Sequence, residues 1–299
     1  MTMSEARKMR RPCLFLLGIR VMAAILIAFG LNAQGPSQVS SASVAPGDSL
    51  SSPSGSPGPD EARSVPLDAC TPSPANAPFN AGEWFHFSVQ YGIVKAGDAL
   101  MQVEGMKDID GHPCYHLVSK AESSNLFSLF FKVRDRVDSF MDRERLVTRR
   151  FSKRIREGKH RSDADVEFDH EAGLARYSDG TEMEFLSCTQ DILSAFYYVR
   201  TLKLNVGERV SLPCHADKKN YPLEVIVHGK ETVKTPAGRF DCLVIEPVLK
   251  SEGVFRQKGR LTIWLTDDAR RIPVLMKSKV TVGSISAILT DMNFVGPGG

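Results

Sequence analysis

The chain has 299 residues, 42% of them hydrophobic, which is enough to bury at least one sizeable core. Its formal net charge of +3 is too small for a protein that holds nucleic acid by charge. It contains no GxSxG elbow, no HExxH helix and no phosphate-binding loop, so the common hydrolase and nucleotide-binding classes have no signature here.

In chain order, residues 5–11, EARKMRR, form a basic region, and residues 21–31, VMAAILIAFGL, an apolar run. The run falls short of the roughly 20 residues a membrane-spanning helix needs and suits the apolar part of an export signal. Ala28-Phe29-Gly30 and Leu31-Asn32-Ala33 offer small residues for cleavage, so residues 1–33 read as a signal peptide. The competing reading is an uncleaved anchor from Pro12 to Leu31, and Arg20 in mid-span weighs against it. No Cys follows the run, so a lipid anchor is not indicated. The first 33 residues hold five basic residues and one acidic one, leaving 33 against 34 and a net charge of −1 for the rest. The basicity therefore belongs to the targeting segment. Residues 34–75 are rich in Ser, Pro and Gly, cannot bury enough surface to offset their ordering entropy, and read as a disordered tether. Residues 76–292 then form one domain, and 293–299 a tail.

Within the domain the dominant period is two. Phe85, Phe87, Val89 and Tyr91 share one face of WFHFSVQY, with Trp84, His86, Ser88 and Gln90 on the other. Leu223, Val225 and Val227 alternate in the same way, as do Ile285, Ala287 and Leu289. Turn signals separate the runs, at Asp110-Gly111, Ser178-Asp179-Gly180, His228-Gly229 and Pro236-Ala237-Gly238. The pattern predicts a mainly β domain of about eleven antiparallel strands, a large curved sheet or open half-barrel. One stretch differs. SCTQDILSAFYYVRTL, residues 187–202, has Ile192, Phe196 and Val199 at helical spacing, with Ser187 and Gln190 as a capping box. It predicts an amphipathic helix on the concave face. A shorter helical turn is expected at SSNLFSLFF, residues 123–131.

RERLVTRRFSKRIREGKHR, residues 143–161, carries nine Lys or Arg against two Glu. Strand alternation puts Arg150, Ser152, Arg154 and Arg156 on one face. A guanidinium row spaced by two could grip phosphates or carboxylates bidentately. The acidic stretch DADVEFDHE, residues 163–171, follows directly and could instead take up that charge across a hairpin. On the predicted helix, Tyr197, Tyr198 and Arg200 either line a ligand cleft or pack as core. LTIWLTDDARRIPVLM, residues 261–276, reads as a hairpin whose turn holds Asp267 and Asp268, rather than as a catalytic carboxylate pair.

His112, Cys114 and His116 alternate on one strand face and are zinc-type ligands, but neighbours on one face stand almost 7 Å apart and close a tetrahedron poorly. No metal site and no cofactor are expected. Of six cysteines, five lie beyond the signal region, an odd number for an oxidising compartment. Cys188 and Cys214 are the disulfide expectation. Cys70 could clip the tether, and Cys114 and Cys242 read as buried thiols.

Four stretches carry a family resemblance: FNAGEWFHFSVQYGIVKAG at 79–97, QDILSAFYYVR at 190–200, TPAGRF at 235–240, and IWLTDDARRIPV with the Gly283 segment. Together they resemble the family known as domain of unknown function 3108. The resemblance implies an exported, β-rich envelope protein of Gram-negative-type bacteria, with an architecture similar to the open half-barrels of periplasmic lipoprotein carriers. It brings no catalytic residues to carry over. The expectation is an exported, non-enzymatic protein that binds or handles a lipid, lipoprotein or anionic glycan, with Arg150, Arg154, Arg156, Tyr197, Tyr198 and Arg200 as ligand-binding residues. The alternatives are a structural or protein-interaction module of the envelope, and a hydrolase with a scattered site. Nucleic acid is not an expected partner. A deep apolar cavity would favour the carrier, a filled interior the module, and a cleft with convergent titratable groups the enzyme.

Overall fold

The computed structural model describes residues 63–64, 77–249, 260–279 and 283–296. The expected signal peptide or anchor and nearly all of the tether lie outside the described residues. The strands are β1 (Arg63–Ser64), β2 (Trp84–Tyr91), β3 (Val94–Ile109), β4 (His112–Ser123), β5 (Arg134–Asp142), β6 (Thr148–Glu157), β7 (His160–Asp169), β8 (Leu174–Tyr177), β9 (Glu182–Glu184), β10 (Arg209–Ala216), β11 (Lys219–Thr235), β12 (Gly238–Leu249), β13 (Leu261–Thr266), β14 (Pro273–Lys279) and β15 (Ser284–Asn293). Two helices join them, α1 (Asn125–Ser128) and α2 (Ile192–Arg200).

All fifteen strands form one sheet, in the order β1-β10-β11-β12-β13-β14-β15-β2-β3-β4-β5-β6-β7-β8-β9. Two antiparallel meanders, β2 to β9 and β10 to β15, are joined by the pairing of β15 with β2. The two-residue β1 alone adds in parallel, beside Val210 and Ser211 of β10. The count exceeds eleven because β1, β8 and β9 are two to four residues long, too short to show a period of two. Register shifts, as between Val103 and Gly105 or Leu289 and Asp291, bend the long strands into a barrel-like wall.

The alternation settles the inner face. Phe85, Phe87 and Val89 are buried, and so are Leu223, Val225 and Val227 on β11 and Ile285, Ala287 and Leu289 on β15. All belong to one continuous core. LTIWLTDDARRIPVLM is the β13–β14 hairpin. In its turn, Asp268 accepts hydrogen bonds from Arg270 N (2.9 Å) and Thr266 Oγ1 (2.8 Å), the local bonding that makes Asp a turn residue.

Helix α2 packs on the inner face against β4, β5 and β10. Its cap differs from the Ser187–Gln190 box. Asp191 is the N-cap, accepting from Leu193 N (2.7 Å) and Ser194 N (3.1 Å). Hydroxyls of Ser139 (2.5 Å) and Thr148 (2.8 Å) donate to its other oxygen. A carboxylate at the positive end of a helix, satisfied on both oxygens, is a stronger cap than a lone serine hydroxyl. Gln190 is drawn away to bridge the edge of β10 beside Cys214. Helix α1 is one turn, capped by Ser124 Oγ, within the expected 123–131.

Candidate functional site

The basic strand is β6, and its guanidinium row meets acids on its neighbour β7. Arg150 contacts Glu167 at 2.9 Å, and Arg154 Nη2 reaches both oxygens of Asp165 at 2.8 Å. Arg156 binds both oxygens of Asp163, one of them at 2.8 Å. The forks expected to hold a phosphate or carboxylate ligand are thus occupied by carboxylates of the same hairpin. Lys153 faces inward instead and pairs with Asp217 of the β10–β11 turn.

On α2, Tyr197 is fully buried, and its hydroxyl has no hydrogen-bond partner among the described residues. Tyr198 is also buried. Arg200 is the largest side chain sealed in the core. Its guanidinium binds both oxygens of Glu83 (2.6 and 2.9 Å) and donates to the carbonyls of Pro78 (3.1 Å) and Arg270 (3.2 Å). The rings of Phe79, Phe85 and Tyr197 lie 5.2–5.4 Å from it. These three residues knit the helix to the sheet, and none of them faces an open cleft.

His112, Cys114 and His116 do not converge. His116 stacks on Phe140 and bonds Asp138 at 2.8 Å, while His112 Nδ1 lies 3.2 Å from Arg149 Nη2. Burial works to raise the Asp138 carboxyl, but hydrogen bonds from His116 and Arg136 outweigh it and hold it at about 2. The Cys114 thiol points to the His112 carbonyl and is pushed up to about 12 by burial. Among the described residues, no group of three His, Cys, Asp or Glu is placed to hold a metal ion.

The expected Cys188–Cys214 disulfide does not form. Cys188 is disulfide-bonded, but Cys214 is a free buried thiol, like Cys114 and Cys242. The reason is positional: Cys214 is part of the continuous core in the middle of β10, whereas Cys188 sits at positive φ in the loop before α2. The partner of Cys188 lies outside the described residues, and so does Cys70.

Sequence periodicity did not reveal the seam where the sheet curls round to itself. No backbone ladder joins β8 and β9 to the β10–β11 turn; side chains do. Tyr177 Oη lies 2.7 Å from His215 Nε2 and accepts from Lys218 N (2.8 Å). His215 Nδ1 lies 2.7 Å from Asn220 Oδ1, Lys218 Nζ reaches Asp179 (2.5 Å) and Thr181 (2.8 Å), and Asn220 Nδ2 donates to the Glu184 carbonyl (2.8 Å). Beside this seam lies an apolar recess, lined by Phe151, Val166, Phe168, Tyr177, Ile192 and His215 among others. Its cavity volume is about 30 Å³, and a second recess between α2 and the β11–β13 wall has about 10 Å³. Each has room for only a water or two. Burial pushes His215 down and Tyr177 up, the reverse of what an imidazolium acid or a phenolate nucleophile would require.

The family model for the proteins of unknown function DUF3108 matches residues 86–290. The chain belongs to this family. Among curated proteins, none matches it. A β-barrel-like protein from Brucella abortus, itself of a domain of unknown function (DUF1849), is similar in structure, with TM-score 0.51 and 11% identity over 73% of this chain and 99% of that one. At that identity the likeness shows the fold alone: a mainly β, barrel-like antiparallel sheet. A candidate lipoprotein from Parabacteroides distasonis (8% identity, 73% of this chain and 99% of that one) and a candidate exported protein with a YmcC-like fold from Bacteroides fragilis (12%, 73% and 98%) align more weakly, each with TM-score 0.34. No helix among the described residues of this DUF3108 protein is long and apolar enough to cross a membrane.

Proposed function

We propose that this DUF3108 protein is a non-catalytic module of the bacterial envelope, exported by its N-terminal segment and displayed on its Ser/Pro/Gly tether, that acts through its outer surface and not as a hollow carrier. The filled interior carries this reading. Helix α2 occupies the concave face, the Arg200–Glu83 pair is sealed beneath it, and the recesses beside it are of water size. An acyl chain or glycan would have to displace packed side chains to enter, and packed interiors yield reluctantly. Export is supported by the basic region followed by a short apolar run. The non-catalytic reading is supported by the absence of motif signatures and by the neutral, saturated Tyr177–His215–Asn220 chain.

A second reading, a carrier for lipid, lipoprotein or anionic glycan, draws on the seam recess, which would enlarge if Lys153–Asp217 and Tyr177–His215 parted. Native mass spectrometry of the full protein, purified from its host envelope without lipid exchange, separates the two. A bare protein mass is expected. A stoichiometric, extractable lipid-sized mass would replace the module with the carrier.

A further inference from the structure

The surface residues that remain unexplained gather at one end of the barrel. Three connections meet there. Ser124 N donates to Ala96 O (2.9 Å), which sets the β4–β5 connection beside the β2–β3 turn. Gly158 N donates to Lys132 O (2.8 Å), which brings in the β6–β7 turn. Among the described residues, eight large hydrophobic side chains are exposed, and five of them lie on this rim: Ile93 (96% exposed), Val94, Leu126, Leu129 (78%) and Phe130 (72%). The other three, Met106, Leu186 and Val206, are scattered. Single exposed apolar residues are ordinary, but a cluster at the tips of adjacent connections marks a contact surface.

The rim is built to hold these residues outward. Phe131 is buried against Gly158, whose positive φ and missing Cβ leave room for the ring. Phe127 packs on the core. Ser123 Oγ accepts from Val133 N (2.9 Å) and shares a bond with Ser128 Oγ (2.7 Å). The connection is thus pinned at both ends, and Leu126, Leu129 and Phe130 cannot fold back into the core.

Charge decides the partner. Lys132 and Lys159 are exposed beside the apolar tips and have no ion-pair partner among the described residues. Among the described residues, the Arg161 side chain donates to the carbonyls of Gly158 and His160 and meets no carboxylate. The exposed acids nearby are already engaged, Asp98 by Lys95, Glu122 by Arg134 and Asp163 by Arg156, while Asp135 and Glu157 are buried away from the rim surface. The rim therefore carries an uncompensated positive charge, unlike the neutralised row on β6. Apolar tips with lysines set just behind them match a lipid interface, where the tips enter the acyl boundary and the ammonium groups rise to the phosphates.

We infer that this rim, Ile93-Val94 with Leu126, Leu129 and Phe130 backed by Lys132 and Lys159, docks the protein on an anionic lipid bilayer. The inference rests on the surface-acting module proposed above and names its partner. The test needs a readout at the rim itself, because the N-terminal apolar run can also enter a membrane. Full-length protein carrying Ile93→Trp or Phe130→Trp is mixed with vesicles of brominated phosphatidylcholine, with and without phosphatidylglycerol, and compared with the off-rim control Met106→Trp. Strong quenching at both rim positions, little at the control, and loss of most of it on removing phosphatidylglycerol or adding Lys132→Glu with Lys159→Glu is the expected result. Rim quenching no greater than the control, or equal with and without phosphatidylglycerol, overturns the docking inference. Native mass spectrometry of the same preparations keeps the two ideas apart. A bound lipid of fixed stoichiometry defeats the module reading, whereas an empty protein with an unquenched rim defeats only the rim.

Discussion

Replacing Glu83 by Gln tests whether the interior is held by the ion pair at the end of α2. Glu83 and the Arg200 side chain have no solvent exposure, and both carboxylate oxygens are bonded to the guanidinium. Arg200 also closes the C-terminus of α2, where a cation is favoured by the helix dipole. Its Nε has no partner among the described residues, so Glu83 and two backbone carbonyls carry its compensation. Glu83→Gln leaves a charged guanidinium in the core facing a neutral amide, and breaking a buried pair in this way costs about 3–5 kcal/mol. The paired change Glu83→Leu with Arg200→Met removes both charges while keeping most of the volume, and should come within about 1–2 kcal/mol of the parent, on either side. Urea denaturation followed by circular dichroism reads both, provided the m-value is unchanged between variants. The reasoning fails if Glu83→Gln costs less than about 1 kcal/mol, or if the double change is as harmful as the single one, because the pair would then not be the element that seats the helix.

Other predictions follow from particular groups. Asp135 is buried with Oδ2 unpartnered among the described residues, and burial pushes its carboxyl up to about 6. Its folded pKa lies above the unfolded one, so stability should fall as pH rises from about 4 to 6, with a penalty of order 3 kcal/mol complete above that window. Asp135→Asn should flatten this slope and stabilise the protein at pH 8, and a slope unchanged in the variant would refute the assignment. The thiols of Cys114, Cys214 and Cys242 should resist alkylation in the native protein and react in urea, with non-reducing peptide maps placing Cys188 alone of these four in a disulfide; rapid native labelling of Cys214 would show that β10 opens. Tyr177→Phe should cost about 1–3 kcal/mol by leaving His215 Nε2 and Lys218 N short of a partner, and should speed amide exchange at the β10–β11 turn. Arg150→Ser with Glu167→Ser and Arg154→Ser with Asp165→Ser, which remove two whole ion pairs, should leave vesicle docking intact, because each pair carries no net charge, and a loss of docking would return the basic strand to the account.

The strands were legible because a one-sided sheet writes its inner face every second residue. Phe85, Phe87 and Val89 needed no structure to be placed. The β13–β14 turn was legible from turn chemistry, and the pairing of β6 with β7 from the acidic stretch that follows the basic one. What failed was long-range pairing. Cys188 and Cys214 flank one helix in sequence, but whether two thiols meet depends on which face each strand residue takes after the sheet curls. The helix start was misplaced for a related reason: Asp191 gains its advantage from Ser139 and Thr148, more than forty residues away. Arg200 looked like a cleft residue because Glu83, its partner, lies 117 positions back in the chain. The rim did leave a trace. Ile93, Leu129 and Phe130 sit at turn positions in YGIVKAG and SSNLFSLFF, where a chain with nothing to bind would carry polar residues.

The sheet edges bear on how such a domain can meet a partner. An open sheet invites strand addition at its ends, and this one offers little to add to. The last strand, β9, is three residues long with Glu182 and Glu184 exposed on it, and Asn220 already bonds its Glu184 carbonyl. At the other end, β10 is covered in part by β1 and in part by Gln190, whose N and O pair with Pro213 and His215. The seam side chains then hold the two ends of the sheet against each other. With the edges blunted and the interior filled, side-chain surface is what remains for recognition. On that surface the unpaired lysines and the exposed aliphatic and aromatic side chains coincide at the rim of Ile93, Leu126, Leu129, Phe130, Lys132 and Lys159. That coincidence is why quenching at Ile93→Trp, and not strand pairing or cavity loading, is the discriminating experiment.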